Sequence, residues 1–441
     1  MMLKRVIFFY AITAGLVFSF PCFAIDFDPD SYGSLSDYLE EVYGVDGNAG
    51  LTAFPVLNVP MGGRAEGMAG AFSAVADDVS FIEWNPAGSA RLARTELAFF
   101  HNNWIADTKV EGAAFGMRHN DFGIAAATKW VYTPFTEYNI WGDRVSKGYY
   151  AEGVAILNMA FNLFPGYYFR GLAVGVNIKP AFRFVPDYAD SDSDEVTIDT
   201  DKIIAGSGAS QSAVALMGDV GLLYRGNFLK FYNSRDENFS LAFVMKNFGV
   251  PDVTFKLTED PLPSVIVGGV AYRPIRPVLI SFDYSVPINL YDITLSEKPF
   301  YAAGFSVTIS RFLSMRGGLR LKAGGTRITI GSAIALEKIV FDINYTLDLA
   351  TQIQPLNRVS VGVRLDLGDH GRSRIDKQVD EFYLAGLDSY AQGNDADAKR
   401  LWQEALKLNT HFEPAREGLS AIRAEEELQQ RISRIQATME R

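Results

Sequence analysis

The chain has 441 residues, of which 48% are hydrophobic, 21% charged and 13% aromatic. A formal charge of −11 argues against nucleic-acid binding, where a basic stripe is expected, and the composition is neither that of a disordered chain nor that of a helical membrane protein. The 32 Phe and 20 Tyr suit strands and membrane interfaces.

The first residues read as an export signal. Lys4 and Arg5 precede an apolar stretch from Val6 to Phe20, and Cys22-Phe23-Ala24 places small residues at a cleavage site, so residues 1–24 are expected to be removed. Cys22 is the only cysteine and leaves with the signal, so no disulfide is expected afterwards. Lipidation of Cys22 is the rival reading, against which Pro21 stands where a small residue is wanted. A retained anchor is the other, and the tract is short for a bilayer-crossing helix. Beyond it no stretch has eighteen uninterrupted apolar residues, so the membrane solution left is a closed barrel, in which every backbone group is satisfied.

Residues 25–93 form an N-terminal segment containing "GMAGAFSAVADDVSFIEWNPAGSARL". The small residues from Gly67 to Ala76 predict a compact helix able to lie against a wall. Pro86 biases Asn85 away from helix, and the Asn side chain can bond nearby backbone, which predicts a defined turn at Asn85-Pro86-Ala87.

From residue 94 to 368 short strand-like runs follow one another, separated by Gly, Pro, Asn and Asp. In "RVSVGVRLDL" Val359, Val361, Val363, Leu365 and Leu367 share one face, opposite Arg358, Ser360, Gly362, Arg364 and Asp366. In "IVFDINYTL" Ile339, Phe341, Ile343, Tyr345 and Leu347 oppose Asp342, Asn344 and Thr346; in "FLSMRGGLRLK" Met315 and Leu319 oppose Arg316 and Arg320. Period-two alternation fits a soluble sandwich as well as a membrane barrel. Arg and Lys beside Gly and Ser on the polar faces favour the barrel, with roughly fourteen strands of about ten residues each. A barrel that wide needs a plug, and the preceding segment is the candidate: a lumenal hatch whose Asp77 and Asp78 could meet Arg316, Arg320, Arg358 or Arg364. Longer connections are expected at 132–149, 186–211, 250–262 and 286–299, on the external side. In the acidic 186–211 stretch, Asp190, Asp192, Asp194 and Asp201 have calcium-loop spacing, but Glu195 replaces the required Gly, so a solvated loop is the reading.

After Gly368, residues 369–375 read as a polar linker and 376–441 as helices. Gly386, Tyr390, Gly393, Ala398, Trp402, Ala405 and Leu406 fall in register with one tetratricopeptide-like repeat, with Thr410 where its closing Pro usually stands. Leu428, Ile432, Ile435 and Met439 make a short seam expected to pack on that repeat. Both ends of an even-stranded barrel open to one side, which predicts that hatch and tail share the periplasm.

No enzyme is expected. His101, His119, His370 and His411 are scattered without metal-ligand spacing, no nucleophile elbow occurs, and neither catalytic residues nor cofactors are predicted.

"GGRAEGMAGAFSAVADDVSFIEWNPAGSARL" resembles the N-terminal region of FadL-type outer-membrane transporters of long-chain fatty acids, and still more that of their PorV-like relatives; "FDINYTLDLATQIQPLNRVSVGVRLDLG" is similar to that group's last two strands. The resemblance spans about residues 50–368 and implies a fourteen-strand, all-β outer-membrane barrel with Asn85, Pro86 and Ala87 as the hatch signature. It implies passive uptake of a hydrophobic small molecule such as a fatty acid, in contact with outer-membrane lipid. The PorV-like alternative is a barrel serving protein export or surface assembly, its helical tail binding a periplasmic protein. The tail departs from the usual FadL pattern, and no ligand-contacting residue can be carried over.

Overall fold

In the computed structural model, residues 46–104, 107–138, 141–184, 213–234, 236–251, 261–323, 325–349 and 357–439 are described. The predicted signal with Cys22 and the whole acidic 186–211 stretch lie outside them, as does most of 250–262.

Fourteen strands close into one antiparallel ring, each paired with its sequence neighbours and the first with the last. They are β1 Glu96–Asn103, β2 Lys109–His119, β3 Phe122–Tyr138, β4 Arg144–Leu163, β5 Leu172–Phe184, β6 Ala213–Gly226 and β7 Phe239–Val250. The second half comprises β8 Ser264–Ile275, β9 Val278–Ile288, β10 Phe300–Thr308, β11 Leu313–Leu321, β12 Arg327–Ala335, β13 Ile339–Asp348 and β14 Arg358–Asp366. The seam is continuous from Glu96↔Asp366 to Asn103↔Val359. We call the mouth where β1 begins and β14 ends proximal, and the other distal.

The direction of the alternation separates a lipid-facing ring from a sandwich. On β13, Phe341, Ile343 and Tyr345 point outward with 39–49% exposure, while Asp342, Asn344 and Thr346 point inward with 1–3%. On β14 Val359 and Val361 face out, and Arg358 and Ser360 face in. An apolar exterior around a polar interior inverts a soluble core.

Two expectations about connections change. Residues 132–149 are largely strand: β3 and β4 run for 17 and 20 residues and pair as far as Tyr138↔Arg144. Pro134 and Gly148 are tolerated within this outlying ladder, where they pair with Tyr149 and Phe135. Long connections also occur at the proximal mouth, at 164–171 and 227–238, so length does not mark one end only.

Inside the ring lie the turns of residues 53–92. The helix here, α1 (Gly63–Gly67), precedes all but the first residue of the predicted one, and residues 68–76 run as turns and irregular backbone. Ala69 and Ala76 have φ of 55° and 34° and Gly70 has 83°, a left-handed backbone that no α-helix accommodates. Ala98, Ala114, Ala125, Ala127, Ala160 and Ala173 on the inner wall are small enough to admit Phe81, Ile82 and Leu92, and together they form the main core. The hatch does not start where the tail is. Lys298 N donates to Asp46 Oδ2 at 2.7 Å and Ala53 N to Pro261 O at 2.9 Å, both at the distal mouth, so the segment crosses the lumen before β1 begins proximally.

Three helices follow the ring: α2 (Arg372–Ala391), α3 (Asp395–Leu408) and α4 (Glu413–Met439). α2 thus begins within the stretch read as linker. Asp369 caps it, accepting from Ser373 N at 3.0 Å, and bonding to Ser373 holds its carboxyl at about 2.

Candidate functional site: the hatch and the cavity above it

The Asn85-Pro86-Ala87 turn is buried against the wall. Asn85 accepts from Ala87 N at 3.0 Å and donates to Ser73 O at 2.9 Å and Leu222 O at 3.1 Å, which ties two hatch turns to β6. Asn158 donates to Pro86 O at 2.9 Å and Asn177 to Ile82 O at 3.0 Å. Gly175 and Gly221 are cross-strand partners, and a Cβ on either would overlap Pro86 O or Asn85 Oδ1. The wall is bare where the turn presses on it. Gly221→Leu should therefore cost about 1–3 kcal/mol by overpacking. A lowered midpoint in urea-dependent unfolding checks this; an unchanged midpoint would show that the turn is not held there.

Other anchors surround this one. Asp283 on β9 accepts from Phe72 N at 3.1 Å, Ser73 N at 3.0 Å and Ser73 Oγ at 2.8 Å. Asn344 donates to Gly63 O at 2.8 Å, and Lys129 to Val59 O at 2.7 Å and Glu83 Oε1 at 2.6 Å. Of the four arginines expected near Asp77 and Asp78, Arg364 alone meets them, pairing with Asp78 at 2.6 Å. Asp77 pairs instead with Arg64 of the hatch at 2.6 Å, and Arg316 with Asp342 at 2.5 Å. Among the described residues these attachments are hydrogen bonds, ion pairs and apolar contacts.

Above it, toward the distal mouth, a cavity of about 110 Å³ remains. Val154, Ile156, Val265 and Val267 contribute apolar surface, while Lys246, Arg320, Arg327 and Arg358 contribute cations. Sequence reasoning placed Arg320 and Arg358 in the lumen but missed the aromatic groups that position them. Arg358 lies 3.8 Å from the centre of the Trp104 ring and Arg320 4.3 Å from that of Phe300. The signal available was an aromatic residue at the distal end of each facing segment. Among the described residues no cluster of His, Cys, Asp and Glu could hold a metal ion.

At the proximal end the tail has its own core. Trp402 is 1% exposed, its Nε1 donates to Tyr383 O at 3.3 Å, and Gly386 leaves room for the indole. Tyr390 lies 5.8 Å from the Trp402 ring, Ala398 and Ala405 are fully buried, and Gly393 turns the chain with a φ of 75°. This core continues into the barrel. Tyr167, from the 164–171 connection, meets Phe412 edge-on at 5.2 Å, and Tyr168 N donates to Glu413 at 3.2 Å. The α4 seam does not pack on the hairpin: Leu428, Ile432, Ile435 and Met439 are 46–82% exposed. α4 extends past the end of its shorter partner, leaving those residues with no opposing helix face.

Fold and site together define a class: a wide closed β-barrel, apolar outside, stoppered by the segment that precedes its first strand. The chain belongs to the uncharacterised protein family UPF0164, whose model matches residues 44–370. One UPF0164 protein of Treponema pallidum (strain Nichols) is 29% identical over 401 residues, covering 88% of this chain and 87% of that protein. A second from the same organism is 26% identical over 400 residues, covering 85% and 76%. Among solved structures, the CymD monoaromatic hydrocarbon channel aligns with a TM-score of 0.45 at 12% identity, over 73% of this chain and 99% of its own. The P. putida toluene transporter TodX aligns with a TM-score of 0.43 at 11% identity, over 69% and 98%.

Proposed function

We propose that this protein is an outer-membrane channel for passive uptake of hydrophobic or amphipathic small molecules, long-chain fatty acids among them, gated by movement of its hatch. The observation that carries the proposal is a sealed ring with an apolar exterior whose lumen is stoppered entirely by non-covalent contacts, with a part-apolar cavity on the distal side. Each CH₂ of an acyl chain buried against such surface contributes about 0.8 kcal/mol, enough to draw an amphiphile out of water. The distal mouth is then external, and the tail is periplasmic. In proteoliposomes, a fluorescent long-chain fatty acid should reach the interior faster through the wild-type protein than through one whose hatch is cross-linked to the wall. Equal rates would refute the channel.

The membrane placement has its own check. Ile343→Arg, on the outer face, should lower folding stability in lipid vesicles by about 2–4 kcal/mol if it lies near the midplane. A loss below 1 kcal/mol there would remove lipid from the picture.

A second reading has one observation in its favour: the tail is docked through Tyr167 and Tyr168, and α4 carries an uncovered apolar seam. On this PorV-like reading the tetratricopeptide-like hairpin binds a periplasmic protein, and the barrel serves export or surface assembly. Deleting residues 369–441 distinguishes the two. Retained fatty-acid delivery with loss of co-purifying proteins supports the second role, and unchanged co-purifying proteins count against it.

A further inference from the structure

The cavity has a charged end that the acyl-chain argument does not use. Arg320 and Arg327 are cross-strand partners on β11 and β12, and Arg358 on β14 stands beside Thr346 of β13. The register thus sets Arg320 and Arg327 in one inward-facing row and Arg358 in the next, two residues along the ladder, and Arg320 is within electrostatic reach of both others. Arg327 has a carboxylate, Asp348, at 3.1 Å. Among the described residues neither Arg320 nor Arg358 has a carboxylate at ion-pair distance, and Arg320 Nε together with Nε and Nη1 of Arg358 find no hydrogen-bond acceptor. Arg358 is nevertheless 97% buried, at 3% exposure. The acid that faces it, Glu66, accepts from Asn102 at 3.3 Å and from Thr346 at 3.5 Å instead.

A buried donor without an acceptor costs about 1–3 kcal/mol, and more when it is charged. Such an arrangement persists where a ligand supplies what is missing. The geometry says which kind. The guanidinium carbons of Arg358 and Arg320 lie over the rings of Trp104 and Phe300, and an aromatic ring holds a guanidinium without taking up its N–H donors. The guanidinium fork matches the spacing of oxygens in a carboxylate or phosphate.

We propose that Arg320 and Arg358, with Arg327 beside them, form an oxyanion-binding site in the distal lumen that takes the phosphate or carboxylate of an incoming molecule. The inference rests on the channel reading for the ligand's route alone; binding at the site does not require transport. Calorimetric titration of the full-length protein in an uncharged detergent tests it, with inorganic phosphate, octyl phosphate, octanoate and octyl glucoside as probes. Wild type should bind one or more of the three anions and should melt at higher temperature with that anion present, whereas octyl glucoside should do neither. Binding of octyl phosphate or octanoate without inorganic phosphate identifies an amphiphile's head group as the source. Binding of inorganic phosphate with equal affinity identifies a free anion. Arg320→Gln/Arg358→Gln should weaken anion binding at least 10-fold, and Arg358→Lys, which keeps the charge and loses the fork, should weaken it less. The melting shift of wild type reads the site without any variant. Absence of both heat and melting shift with every anion, or equal affinity in the double variant, overturns the proposal. Anion binding with no fatty-acid delivery in proteoliposomes would sink the channel and leave the site standing.

Discussion

Planar bilayers containing the Asn85→Ala/Asp283→Asn variant should show frequent, step-like conductance, where wild type stays closed. The two side chains converge on one turn of the hatch. Asn85 holds Ser73 O and Leu222 O, while Asp283 holds the amides of Phe72 and Ser73 together with the Ser73 hydroxyl. Truncating Asn85 leaves two carbonyls without their donor. Neutralising Asp283 replaces charge-assisted bonds by weaker ones, and each buried group left unpaired costs about 1–3 kcal/mol. The loss falls on the docked state of the hatch, because a detached hatch meets water in the lumen, and the wall ladders are untouched. The ring should therefore survive, as tested by its heat-modifiable mobility on gels. A variant that folds and remains electrically silent would show that the anchors converging on Ser73 do not govern opening.

The second large effect belongs to the tail. Trp402→Ala removes the largest fully buried side chain of a small core that otherwise comprises Val379, Ala398, Ala405, Phe412, Ala415, Leu419 and Ile422. Replacing a buried Trp by Ala costs about 3–5 kcal/mol, more than so small a unit can absorb. Limited trypsin digestion of the full-length variant should then cut freely after residue 372 while the barrel fragment persists. Resistance equal to wild type would mean that docking on Tyr167, and not the indole, holds the helices together.

Much of the ring was legible because alternation on β11, β13 and β14 is clean and its polar face carries Arg, Asp and Asn. Alternation has no sign, however. Only the chemistry of that face indicated that Val361 points away from the centre and Ser360 toward it. The long β3–β4 ladder was hidden because Pro134 and Gly148 imitate a loop, and strand ends standing clear of a bilayer need no apolar face. The arginine partners were the least legible part. Whether Arg316, Arg358 or Arg364 meets Asp78 depends on its height in the lumen, which is set by strand stagger and the path of the hatch. Neither is written in local periodicity. The helix expected over Gly67–Ala76 failed for a different reason: small residues permit close packing of helices and left-handed turns alike, and the wall selected turns.

The path of the leading segment constrains how the molecule is assembled. Asp46 is bonded at one mouth and Thr95, through Gly368 O at 2.7 Å, at the other, so the polypeptide is strung through its own cylinder like a cord through a bead. A finished cylinder could take in that cord only by passing its free end the whole way along the bore. Zipping Glu96–Asn103 against Val359–Asp366 last, around a cord already in place, avoids this. Maturation then becomes a wrapping event that ends at this zipper.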